Sequence, residues 1–89
     1  MSERVITNKN INNFKLYLYE EERSDNTVEK YVRDICRFHK WLRGRSIDKS
    51  VAVEYKRELC ARYMPKSVNS MLSSVNTFFM FMGWHDLKI

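Results

Sequence analysis

Glycine and proline are nearly absent, at two and one residues in a chain of 89. Hairpin-rich folds and β-sandwiches need those residues at their turns, so their scarcity argues for helices joined by short loops. Cysteine is as sparse. Cys36 and Cys60 have no C-x-x-C spacing, and His39 and His85 lie far apart without companion ligands, so no metal site is expected. Two free thiols fit a reducing compartment, and a cytoplasmic location is the expectation. The opening "MSERVITNKN" lacks the apolar stretch of a signal peptide. No apolar run approaches a membrane span, so no membrane partner is expected. Also missing are G-x-x-x-x-G-K, G-x-G-x-x-G, G-x-S-x-G and H-E-x-x-H. No residue is marked as catalytic, and no cofactor is expected.

What is present is positive charge, unevenly spread. The length fits one domain, residues 1–89, with a modest core. Lys and Arg number 16 against 11 acidic residues, and the pI is near 9.4. Residues 37–66 hold nine Lys/Arg and three Asp/Glu, while acid gathers at Glu20, Glu21 and Glu22. A basic middle points to a polyanionic partner.

Apolar spacing predicts four helices. The first runs from about Thr7, a plausible N-cap, to Glu22, with Ile11, Phe14 and Leu18 inward. The second covers about Asn26 to Arg43 and stops before Gly44. Its residues Val28, Tyr31, Val32, Ile35, Phe38 and Leu42 fall within an arc of about 120°. His39 projects into that arc as a core or boundary histidine. The third starts at the Asp48 cap and carries the weaker stripe Val51, Ala52, Tyr55 and Leu59. The fourth runs from Pro65 to Met82 with Gly83 as its stop. Its apolar set is Val68, Met71, Leu72, Val75, Phe78, Phe79 and Met82.

Two outer faces are distinctive. The stretch "TVEKYVRDICRFHKWL" strings Lys30, Arg33, Arg37 and Lys40 down the back of helix two, and Asn26 extends the row. At helical rise the row spans roughly 15 Å, long enough to meet two or three phosphates of a DNA strand. Glu29–Arg33 and Lys30–Asp34 are i,i+4 pairs that would soften the row. On helix four, Lys66, Ser70, Ser73 and Thr77 line the outer face, with Ser67, Ser74, Asn69 and Asn76 on its flanks. No acid occurs between Glu58 and Asp86. Short hydrogen-bonding side chains with no anion among them suit contact with phosphates.

These residues resemble a known domain. "NTVEKYVRDICRFHKWL" is similar to the T-x-x-x-Y-x-x-D-L-x-x-F-x-x-[FW]-L pattern of the tyrosine recombinase (phage integrase) family, in its N-terminal SAM-like, core-binding domain. Thr27, Tyr31, Asp34, Phe38 and Leu42 fill the pattern, with Ile35 in the Leu slot. "SVNSMLSSVNTFFMFM" resembles the family's S-x-x-x-x-L-S-A-[LV]-[RK]-x-F-[FY]-x-[FY]-L segment, and "FKLYL" its F-x-x-Y-L. The resemblance implies an all-α fold, a four-helix SAM-like orthogonal bundle that forms half of a clamp around recombination-site DNA. It implies that helices two and four face the major groove. By position, Asn26, Thr27, Lys30, Arg33 and Arg37 would contact double-stranded DNA from helix two, and Lys66, Ser67, Ser70, Ser73 and Thr77 from helix four. Asn76 stands where the family often has Arg or Lys, so helix four is expected to add less phosphate affinity. The family's arginines, lysine, histidines and nucleophilic tyrosine belong to a second, C-terminal catalytic domain. The chain is therefore expected to be a non-catalytic fragment of an integrase, with that domain and other recombinase protomers as partners.

Two other readings stay open: a stand-alone helical DNA-binding protein and a protein-interaction module. A helix-turn-helix would need a tight helix pair, which the loops at 43–49 and 63–66 do not suggest. An interaction module would show an exposed apolar patch, for which Met80, Phe81 and Trp84 are the candidates.

Overall fold

Side chains cap three of the four helices at their starts. In the computed structural model, which describes residues 3–89, α1 spans Asn8–Glu20, α2 Asp25–Leu42, α3 Lys49–Arg62 and α4 Pro65–Phe81. A short 3-10 turn follows at His85–Leu87. Thr7 Oγ1 accepts the Asn10 N–H at 3.1 Å while Asn10 Oδ1 accepts the Thr7 N–H at 3.0 Å. That reciprocal pair satisfies two otherwise orphaned donors. Ser24 caps α2 by accepting from Thr27 N–H, and Asp48 caps α3 by accepting from Val51 N–H at 2.9 Å. The fourth helix has no side-chain cap; Pro65 occupies its first position, where no N–H partner is needed.

The fold is the expected all-α four-helix SAM-like bundle, with no strand among the described residues. Helix ends differ from the sequence reading by one or two residues. The first helix stops at Glu20 because Glu22 turns left-handed, with φ 59°. The second begins one residue earlier, at Asp25, because Ser24 supplies the cap. Past α4, Gly83 adopts φ 76°, which lets the Trp84 N–H reach the Phe79 carbonyl at 2.8 Å and the Gly83 N–H reach Met80 at 3.1 Å. That closure needs a residue free of Cβ strain, hence glycine.

Every helix contributes to one core. Phe14, Ile35, Phe38, Tyr55, Val75, Phe78 and Phe79 are buried in it. Each such side chain is worth roughly 1.5–3 kcal/mol relative to exposure. Phe14 meets Phe78 edge-on at 5.1 Å, joining α1 to α4, and Phe38 lies 4.5 Å from Tyr55, joining α2 to α3. His39 is half-buried at the boundary of this core, as its place in the apolar arc suggested.

The segments that flank the helices are tied to the bundle. Arg4 pairs with Asp86 at 2.8 Å, and its carbonyl accepts the Ile47 N–H at 2.7 Å. The Arg4 guanidinium holds the Asp86 carboxyl below its ordinary pKa. Leu87 is buried, a position that helical periodicity did not foresee. The seam between α2 and α4 is the most extensive helix–helix contact. It places the outer face of α2 beside the N-terminal part of the α4 face singled out from sequence.

Candidate nucleic-acid interface

The outer side of α2 presents Asn26, Arg33, Arg37 and Lys40 to solvent. Thr27, in the same first turn, is half-buried and its hydroxyl accepts from Ser24 Oγ at 2.9 Å. Ion pairs among the described residues are Arg4–Asp86, Lys30–Asp34 and Arg62–Glu58. Arg33, Arg37, Lys40 and Lys66 therefore carry charge that no carboxylate of these residues cancels. The Glu29–Arg33 pair expected from spacing is not formed; the Lys30–Asp34 pair is.

Lys30 differs from the rest of its row. Its Nζ donates to Asp34 Oδ2 at 2.7 Å, to the Ser70 carbonyl at 2.8 Å and to Ser74 Oγ at 3.0 Å. An ammonium has three donors, so all are used inside the protein. Ser74, fully buried, in turn donates to Asp34 Oδ2 at 2.7 Å. Lys30 is thus a bridge between α2 and α4. Its helical phase matched the exposed cations, and only the position of α4 separates it from them. Helical phase alone puts Ser74 on a flank of α4; its burial depends on the same packing.

The α4 stripe divides in two. Lys66, Ser67 and Ser70 share a shallow depression of about 430 Å³ with Lys30, Arg33 and Arg37; Met71 and Tyr63 also line it, as does Asp34, whose carboxylate is paired with Lys30. The Arg37 guanidinium lies 5.8 Å from the Tyr63 ring centre, within cation–π range. Ser73 and Thr77 line a different depression, together with Lys56, Asn76 and Lys88. Thr77 is half-buried and its hydroxyl donates to the Ser73 carbonyl at 2.9 Å. On a helical wheel these residues form one row, but the row sits on the crest of α4, and neighbouring elements assign its members to opposite slopes. Lys40 lies at the far end of α2, in a groove shared with α3.

Asn76 has a role of its own. Its carboxamide accepts the Ile89 N–H at 2.8 Å and donates to the Ile89 carbonyl at 3.0 Å. Lys49 Nζ also donates to the Lys88 carbonyl. The residue standing where a cation was expected is committed to holding the C-terminal segment.

The α2–α4 depression offers three uncancelled cations, two exposed hydroxyls and the first turn of α4. The Lys66 and Ser67 amides in that turn lie ahead of the first intrahelical hydrogen bond, from Val68 N–H to the Met64 carbonyl. Helix N-terminal amides and nearby cations together favour an anion. The phage integrase, N-terminal SAM-like domain family matches residues 11–85. The chain belongs to that family. No curated protein and no solved structure matches it. The integrase N-terminal SAM-like domain is a recombinase-related module, and it is the non-catalytic part of that family. Its described residues include no helix long and apolar enough to cross a membrane, and no group of three His, Cys, Asp or Glu side chains placed to hold a metal.

Proposed function

We propose that this chain is the core-binding domain of a tyrosine site-specific recombinase, and that it positions recombination-site DNA for strand exchange. Cleavage and rejoining fall to a separate C-terminal catalytic domain of the same protein, and other recombinase protomers are its further partners. One observation carries the reading: Arg33, Arg37 and Lys66, none cancelled by a carboxylate, share one depression with Ser67 and Ser70. Cations fix a duplex through its phosphates, and short hydroxyl side chains let the helix backbone approach. The stand-alone repressor and protein-interaction readings draw less support. The exposed apolar side chains Leu16, Tyr19, Tyr63, Met64 and Met80 are spread over α1, the α3–α4 junction and the C-terminal end of α4.

Titration of labelled duplex DNA at several salt concentrations tests the proposal. Three to four phosphate contacts give a slope of log K against log salt of about −3 to −4. Arg33→Gln or Lys66→Gln flattens it by about one. Incubation with supercoiled plasmid leaves the linking number unchanged, since no activated nucleophile acts. Affinity indifferent to salt would contradict the proposal.

A further inference from the structure

We propose that the groove between the C-terminal half of α2 and α3 is a second phosphate track, which takes the sugar-phosphate backbone of the same duplex beyond the α2–α4 depression. The groove has a volume of about 810 Å³ and is lined by Arg37, Lys40, Arg43, Arg45, Arg62 and Glu58. Five cations against one carboxylate leave four positive charges, compared with a net charge of +5 for the whole chain. The rest of the surface is therefore nearly balanced, and the imbalance is concentrated here. Like charges held together repel one another, and a polyanion relieves that repulsion.

Three of the four guanidinium groups are held in place before any ligand arrives. Arg45 lies 4.5 Å over the Trp41 ring and donates Nε–H to the Leu42 carbonyl at 3.0 Å. Arg37 packs on Tyr63. Arg62 Nε meets Glu58 Oε2 at 2.9 Å, and the two terminal nitrogens of that guanidinium form no hydrogen bond to a described residue. Arg45 Nη2 also donates to the Trp41 carbonyl at 3.4 Å, which leaves its Nη1 for an oxygen ligand. Arg43 sits at the left-handed end of α2, φ 52°, and is exposed. Arg37 lines both this groove and the α2–α4 depression, so the two basic surfaces are continuous. That continuity favours one long polyanion over a separate acidic protein.

The inference rests on the DNA-binding reading for the identity of its ligand, and the test separates the two. The whole chain is compared with an Arg43→Asn/Arg62→Gln variant and an Arg33→Gln/Lys66→Gln variant on labelled duplex DNA across a salt series. Asparagine tolerates the left-handed conformation at position 43. The groove variant binds about tenfold more weakly and its salt slope falls by about two, with thermal unfolding unchanged. Lys40→Gln, a substitution of one exposed side chain, lowers the slope by about one and guards against a misfolded double variant. Unchanged affinity and slope for Arg43→Asn/Arg62→Gln, with loss in Arg33→Gln/Lys66→Gln, would overturn the groove and leave the proposed function standing. Binding of poly-glutamate that the groove variant loses, with DNA affinity unaltered, would overturn it in favour of an acidic protein. Failure of the wild type to bind duplex at any salt concentration would overturn both.

Discussion

Ser74 donates its hydroxyl to Asp34 across the seam of α2 and α4, 2.7 Å oxygen to oxygen, and Lys30 closes the network from above. Asp34 is a buried anion whose stability depends on both partners. Asp34→Ala strands the Lys30 ammonium beside an empty acceptor site and lowers unfolding free energy by about 2–3 kcal/mol. Ser74→Ala removes one hydrogen bond to a charged group and costs about 1.5 kcal/mol. Urea unfolding measures both. Lys30→Gln loses stability in the same assay while leaving the DNA salt slope nearly intact, the reverse of Arg33→Gln.

Burial pushes the Tyr55 phenol up to about 12, with the Arg37 charge pulling the other way. The unfolded phenol titrates near 10. With the folded pKa above the unfolded one, the contribution is whole below pH 10 and is lost as pH rises through 12. Wild type therefore loses thermal stability between pH 10 and 12. Tyr55→Phe keeps the ring against Phe38 and declines less over that window. Identical pH dependence in the two proteins would contradict the assignment.

The two hydrogen bonds from Asn76 to Ile89 hold the end of the chain against α4. Asn76→Ala removes both and costs about 1 kcal/mol. Hydrogen exchange at the Ile89 amide accelerates, while α2 amides keep their protection.

Ser70 and Thr77 occupy the same helical phase but different slopes of α4. Ser67→Glu and Ser70→Glu place an anion among Arg33, Arg37 and Lys66 and weaken duplex binding about tenfold, equivalent to about 1.4 kcal/mol. Thr77→Glu adds its charge beside Lys56 and Lys88 and weakens binding by less than threefold, or about 0.6 kcal/mol. Equal losses from Ser70→Glu and Thr77→Glu, with both proteins folded, would restore the single-face picture that periodicity suggested.

Helix number and type were legible because apolar spacing, caps and breakers agreed at each element: Thr7, Asp48, Pro65 and Gly83 all act where the sequence places them. The basic row on α2 was legible as helical phase. Its division was not, because phase on one helix does not say where the next helix lies. Lys30 is tied to α4 only because Ser70 and Ser74 come within reach of its ammonium. Ser73 and Thr77 part from Ser70 only because the C-terminal segment folds back to Asn76. The α2–α3 groove was visible only as an excess of Lys and Arg over residues 37–66. Packing of Tyr55 and Trp41, 4.9 Å apart, brings those cations to a common wall.

Amide chemical shifts of the isotope-labelled chain, followed during titration with duplex DNA at low salt, test the central claim most directly. The account predicts perturbations on the outer side of α2 around Arg33 and Arg37 and in the first turns of α4 around Lys66, Ser67 and Ser70. The α1 amides around Leu16 and Tyr19 stay unmoved. Perturbations centred on α1, or on the Asn76–Ile89 end with α2 silent, would contradict it.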